Sequence, residues 1–246
     1  MPEPATVGGR KRRVLLAFGL LLVSLNLRPS MSALSPVLGA IRRSTGLSAA
    51  GAGLLTTLPL ICFGLLAPVA PRLVRRRGTG RVLLGCLVVL LVGIVVRSSG
   101  YAGLFVGTLL IGTGVAIANV LMPGIVKRDF PGQLRLMPGL YMAMLSAGAA
   151  LAAGMTAPLA RILGGNRHLA TGAWALLVVV AIAVVVPLRS HGRPGEGIDV
   201  SVESARSLWQ SPVAWSVTIF MGVQSLKFYS TLARLPTVFH DRGSRS

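Results

Sequence analysis

Four runs of this sequence contain no Asp, Glu, Lys or Arg: residues 44–71, 98–126, 136–160 and 169–188. A helix needs ~20 predominantly apolar residues to cross a hydrocarbon core of ~30 Å, and each run reaches or nearly reaches that length. A fifth apolar segment, Val82 to Val96, is shorter, but Arg81 and Arg97 flank it and can snorkel to the two interfaces. Only 13% of the chain is charged, against ~25% in a soluble domain. The expected fold class is therefore all-α, a polytopic helical membrane protein.

The net charge of +19 would suggest nucleic acid in a soluble protein. Its placement suggests topology instead. Spans are predicted near 14–41, 50–71, 82–98, 101–126, 137–161, 169–188 and 212–239. The segments on one side then hold fifteen Lys and Arg: residues 10–13, Arg72, Arg75, Arg76, Arg77, Arg81, Lys127, Arg128, Arg135, Arg189, Arg193 and Arg206. The other side holds five: Arg42, Arg43, Arg97, Arg161 and Arg167. The positive-inside rule then places the N-terminus in the cytoplasm and the protein in the cell membrane, with the lipid bilayer rather than nucleic acid as partner.

The predicted organisation is a cytoplasmic N-terminus (1–13), a six-helix bundle (14–188), a polar linker (189–211), a seventh helix (212–239) and a short tail (240–246). The linker holds Glu196, Asp199 and Glu203, half of the chain's six acidic residues. Spans one and seven also resemble each other. Arg28 follows Val14 by fourteen residues, as Lys227 follows Val213, and each basic residue precedes a proline (Pro36, Pro236). Parallel repeats of this kind build one large transporter class. Within the bundle, Gly103/Gly107, Gly148/Ala152 and Ala150/Gly154 are small-xxx-small pairs suited to close helix approach.

Arg28 is the costliest residue of the first span. An arginine at a helix centre costs about 2.5–3.5 kcal/mol on insertion scales. Ser24, Arg28 and Ser32 recur at i, i+4 and i+8, so they share a face expected to line an aqueous cavity, beside a break at Pro29. Span four offers Thr108, Gly112 and Asn119 on one stripe ending at Pro123, span five offers Tyr141, and span seven offers Gln224, Lys227 and Thr231. No Asp or Glu lies in any span, so the expected ligand is an anion or polar acceptor held by charge-assisted hydrogen bonds from Arg28.

Enzyme chemistry has little support. His168, His191 and His240 have no nucleophile or carboxylate at motif spacing, and Cys62 and Cys86 read as packing residues without a metal pattern. No cofactor and no metal is expected.

Four motifs in order, "LNLRP", "GLLTTLPLICFGLLAP", "GTGVAIANVLMPGIVKRDFP" and "SPVAWSVTIFMGVQSLKFY", resemble the cyanate/nitroimidazole porter (CynX/NimT-type) family of the major facilitator superfamily. The resemblance implies a carrier of two six-helix bundles that moves a small anionic or polar solute by alternating access. It implies that the first and fourth helices of each bundle line the cavity, which fits Arg28, Asn119 and Lys227. It also implies that "APRLVRRRGTGR" (70–81), with Arg72, Arg75, Arg76, Arg77 and Arg81, is a gating loop, here without the family's usual acidic residue. Members usually read "WLP" where this chain has Arg234-Leu235-Pro236. Relative to that pattern the chain is expected to be truncated, carrying one bundle and the first helix of the next. Such a form would need a second chain to complete the bundle; the alternative reading is a non-transporting membrane fragment or assembly partner.

Overall fold

The structure, a computed structural model, describes residues 7–32, 46–162, 172–188, 211–224 and 227. Every regular element among them is helical: α1 (Val7–Leu27), α2 (Pro29–Ser32), α3 (Ala49–Leu66), α4 (Val69–Arg77), α5 (Thr79–Arg97), α6 (Tyr101–Asp129), α7 (Met137–Ile162), α8 (Trp174–Val185) and α9 (Pro212–Gln224). The chain divides into two compact units, Met1–Ile198 and Asp199–Ser246.

Each break has a local cause. Pro29 lacks an N–H to continue α1, so the helix stops at Leu27 and restarts as α2 after Arg28. Ser48 caps α3 by accepting from the Gly51 N–H at 3.0 Å. Ala67 and Pro68 then separate α3 from α4, and the chain bends by 61° there. The supposed gating loop at 70–81 is a helix for most of its length. Arg72, Arg75, Arg76 and Arg77 are exposed on α4, while Ala70 and Val74 form its buried side. Gly78, at φ 80°, supplies the left-handed link into α5 that a side chain would oppose.

Helices α5 and α6 make the most extensive pairing of the first unit. From α6 the packing passes to α3, and from α5 to α8, then α1 and α7. Lipid tails are as apolar as leucine, so this packing rests on dispersion and close approach rather than on hydrophobic drive. A β-carbon at Gly107 would lie 2.5 Å from the Arg97 backbone nitrogen, so only glycine lets α6 sit this close to α5. Of the predicted small-residue pairs in α7, Gly148/Ala152 is buried, whereas Ala150 and Gly154 are exposed. The shared core runs through Val23 and Leu27, Leu87 and Leu90, Ile111 and Leu121, Leu145 and Ala181. Val88, Val92 and Val95 on α5, and Leu176, Val179 and Val180 on α8, point outward, as lipid-facing residues do.

Among the described residues, three helices are long and apolar enough to cross a membrane: Thr79–Arg97, Tyr101–Asp129 and Met137–Thr156. The bent pair α3 and α4 makes a fourth when counted as one span. Val14–Leu27, Trp174–Val185 and Pro212–Gln224 are shorter apolar helices. The remainder of predicted spans one and seven, the linker except Ser211, the three histidines and the tail lie outside the described residues. Predicted span four (101–126) lies within a longer helix. α6 continues through Pro123 to Asp129, and 29 residues span about 43 Å at 1.5 Å each, beyond a ~30 Å core.

Candidate functional site: the break in the first helix

Along α1 and into α2, three polar side chains turn back onto the carbonyl four residues earlier. The Ser24 hydroxyl donates to the Leu20 carbonyl at 2.8 Å, Asn26 Nδ2 to the Leu22 carbonyl at 2.8 Å, and the Ser30 hydroxyl to the Asn26 carbonyl at 3.1 Å. Such bonds compete with the helix ladder and favour bending. They accumulate just where Pro29 removes a donor.

The break is tightly held, yet Arg28 is not. Leu27 and Ser30 are each 1% exposed and Pro29 is buried, while Arg28 is exposed. From one side α7 presses on the break: a β-carbon at Gly148 would collide with the Leu25 carbonyl and the Pro29 ring. From another side Arg97 reaches it from the end of α5. Its Nη1 donates to the Ser30 carbonyl at 2.8 Å.

Arg97 therefore does not snorkel. It is 4% exposed, the reverse of the interfacial role expected from its position at the end of an apolar run. Its Nη2 has no hydrogen-bond partner among the described residues. A buried donor left unsatisfied costs about 1–3 kcal/mol, and more when charged. Sequence reasoning missed this residue. The available signal was register: Cys86, Gly93 and Arg97 follow i, i+7, i+11, so Arg97 shares the face of two small buried residues.

The other predicted site residues are dispersed. Ser24 is fully buried, its hydroxyl also 3.9 Å from Met122 Sδ, so it does not share the exposed face of Arg28. The Ser32 side chain and Thr231 lie outside the described residues. Thr108 is buried and bonds the Leu104 carbonyl at 2.6 Å, and Gly112 backs onto Pro59 and Cys62. Both serve helix packing. Asn119 is partly exposed, with Nδ2 3.1 Å from the Val115 carbonyl, so its carbonyl oxygen makes no bond inside its own helix. Tyr141 is 8% exposed within the core. Gln224 and Lys227 are exposed and belong to the second unit.

At the arginine-rich end, Arg128 Nε pairs with Asp129 at 2.7 Å, and Arg128 Nη1 donates to the Thr79 hydroxyl at 3.2 Å. These residues border a mainly apolar cleft that also meets Leu16, Leu20 and Val185. That cleft is separate from Arg28. Cys62 and Cys86 are both buried and unpaired by disulfide. No cluster of three or more metal-ligating side chains occurs among the described residues.

Comparison with known proteins identifies the background of this arrangement. The chain is 41% identical over 229 residues to the uncharacterized transporter YycB of Bacillus subtilis, covering 93% of this chain and 56% of that protein. It is 37% identical over 238 residues to the 2-nitroimidazole transporter of Escherichia coli, covering 95% and 59%. It is 28% identical over 227 residues to the cyanate transport protein CynX of Escherichia coli, covering 92% and 58%. The chain thus spans somewhat more than half the length of these curated relatives. The family model described as Major Facilitator Superfamily matches residues 9–244. With helices at every described element and that match over nearly its whole length, the chain belongs to the Major Facilitator Superfamily.

Proposed function

We propose that this chain forms part of a membrane transporter that moves a small anionic or polar solute, cyanate- or nitroimidazole-like, by alternating access. The observation that carries the reading is Arg28: an exposed guanidinium at a proline break whose neighbours in sequence are buried. In a membrane-spanning helix, a charge kept away from the packed interior needs water or a ligand beside it. The names of two relatives, a 2-nitroimidazole transporter and a cyanate transport protein, supply the solute class.

In this mechanism Arg28 anchors the solute through charge-assisted hydrogen bonds. The carbonyl oxygen of Asn119 adds an acceptor. Ser24 and Tyr141 act through packing, since both are buried. The arginine-rich end, with Arg72, Arg75, Arg76, Arg77 and Arg81, faces the cytoplasm together with the N-terminus, in keeping with the positive-inside rule.

Equilibrium dialysis of the detergent-purified chain with labelled cyanate and 2-nitroimidazole tests the reading, alongside uptake into proteoliposomes. Charged hydrogen bonds contribute about 1.5–3 kcal/mol, so Arg28→Ala should weaken binding about 10- to 150-fold. Arg28→Lys should restore part of the loss, as it keeps the charge but not the planar fork. Undiminished binding or uptake by Arg28→Ala would remove the site assignment. Failure of the unaltered chain to bind any small anion would remove the reading of Arg28 as a solute anchor.

A further inference from the structure

We infer that Arg97 is a positioning residue for the break in the first helix. Its guanidinium holds α2 so that Arg28 faces outward while Leu27, Pro29 and Ser30 stay packed. This deepens the reading of Arg28 as the solute anchor and rests on it.

Three observations converge. First, the Arg97 side chain ends its path at the Ser30 carbonyl, 2.8 Å away and two residues beyond Arg28. Second, the start of that path is fixed. α6 approaches the Arg97 backbone so closely at Gly107 that a β-carbon there would lie 2.5 Å from the Arg97 nitrogen. Third, the arrangement is a poor way to gain stability. The group is 4% exposed, and among the described residues Nη1 binds a single acceptor and Nη2 has no partner. Replacing buried ionic groups with apolar ones of similar size is often neutral or stabilising, so stability does not explain such a residue.

A second contact on the break comes from Gly148, which lets α7 abut the Leu25 carbonyl and the Pro29 ring. With α7 against the break and Arg97 bonded to it, rotation of the segment about the α1 axis is opposed. Without Arg97, the segment gains freedom to turn, and residue 28 spends part of its time away from the outward-facing position.

The test reads position 28 directly. In a background with Cys62→Ala and Cys86→Ala, Arg28→Cys is introduced into the full chain in detergent. Its rate of modification by a charged, water-soluble thiol reagent is then measured. Arg97→Met should slow modification about tenfold, and Arg97→Lys should recover most of the rate. Leu134→Cys, exposed between α6 and α7, serves as the control and should change less than about twofold on the same scale. Unchanged reactivity at position 28 in a monodisperse Arg97→Met protein would overturn the inference. So would an equal change at Leu134, which would indicate general loosening. Should Arg97→Met aggregate, Arg97→Gln replaces it, with the same slowing expected and the same two overturning results. No solute enters this measurement, so its failure is distinct from failure of Arg28→Ala to weaken cyanate binding.

Discussion

Arg28 and Arg97 meet at one helix break and have opposite environments. Arg28 lies in the break itself and is exposed, whereas Arg97 comes from the end of another helix and is 4% exposed. Linear position suggests the reverse. Arg28 lies about 21 Å along its helix from Val14, and Arg97 ends an apolar run where an interface belongs. Depth in the sequence therefore does not set exposure in this bundle. What sets it is which neighbour fills the surrounding space. Leu27, Pro29 and Ser30 turn inward around Arg28, while Gly93 and Gly107 make room along the α5–α6 contact that carries Arg97 inward.

The largest expected way to break this contrast is Gly148→Leu. The added side chain meets the Leu25 carbonyl and the Pro29 ring, neither of which can swing away. Overpacking costs about 1–3 kcal/mol, and this variant should lie at the upper end. Thermal aggregation followed by size-exclusion chromatography should show a lower melting point, with cyanate binding falling alongside it. Retained stability would mean that α7 does not clamp the break.

Gly107→Ala is a milder perturbation of the other arginine. One methyl group against the Arg97 backbone should cost about 1–2 kcal/mol within the overpacking range. The same melting assay checks it. An unchanged melting point would mean that α6 can withdraw without cost, and the fixed origin of the Arg97 side chain would be lost.

Ser24→Ala should have the smallest effect. Its hydroxyl is bonded to the Leu20 carbonyl and faces Met122, so cyanate affinity should change less than about twofold, below 0.5 kcal/mol. A larger loss in equilibrium dialysis would return Ser24 to the solute-facing surface and blur the contrast between buried and exposed polar groups on α1.

Much of the fold was legible in one dimension because a bilayer imposes strong local rules. Uncharged runs marked α6 and α7, a shorter arginine-flanked apolar segment marked α5, and Pro29 marked the end of α1. The segment 70–81 was expected to be a loop from its resemblance to a family gating loop. In the structure its buried side, Ala70 and Val74, keeps it helical. Site residues were harder to place. Ser24, Thr108 and Arg28 all looked like polar intrusions into apolar helices. In a membrane helix, however, a serine or threonine can satisfy itself on the carbonyl four residues back, as Ser24 and Thr108 do. An arginine is too long and too charged to do so, and it needs an outside partner.

By itself the sequence determined that this chain is helical, membrane-embedded and broken at Pro29, because hydropathy, charge and the missing proline donor act within a few residues of one another. Only the tertiary structure decided which polar side chains face outward and that Arg97 grips the break. Those outcomes depend on α5, α6 and α7 meeting α1 at contacts that glycines permit. In a chain apolar on every side of its helices, no periodicity in the sequence records which face meets a neighbour.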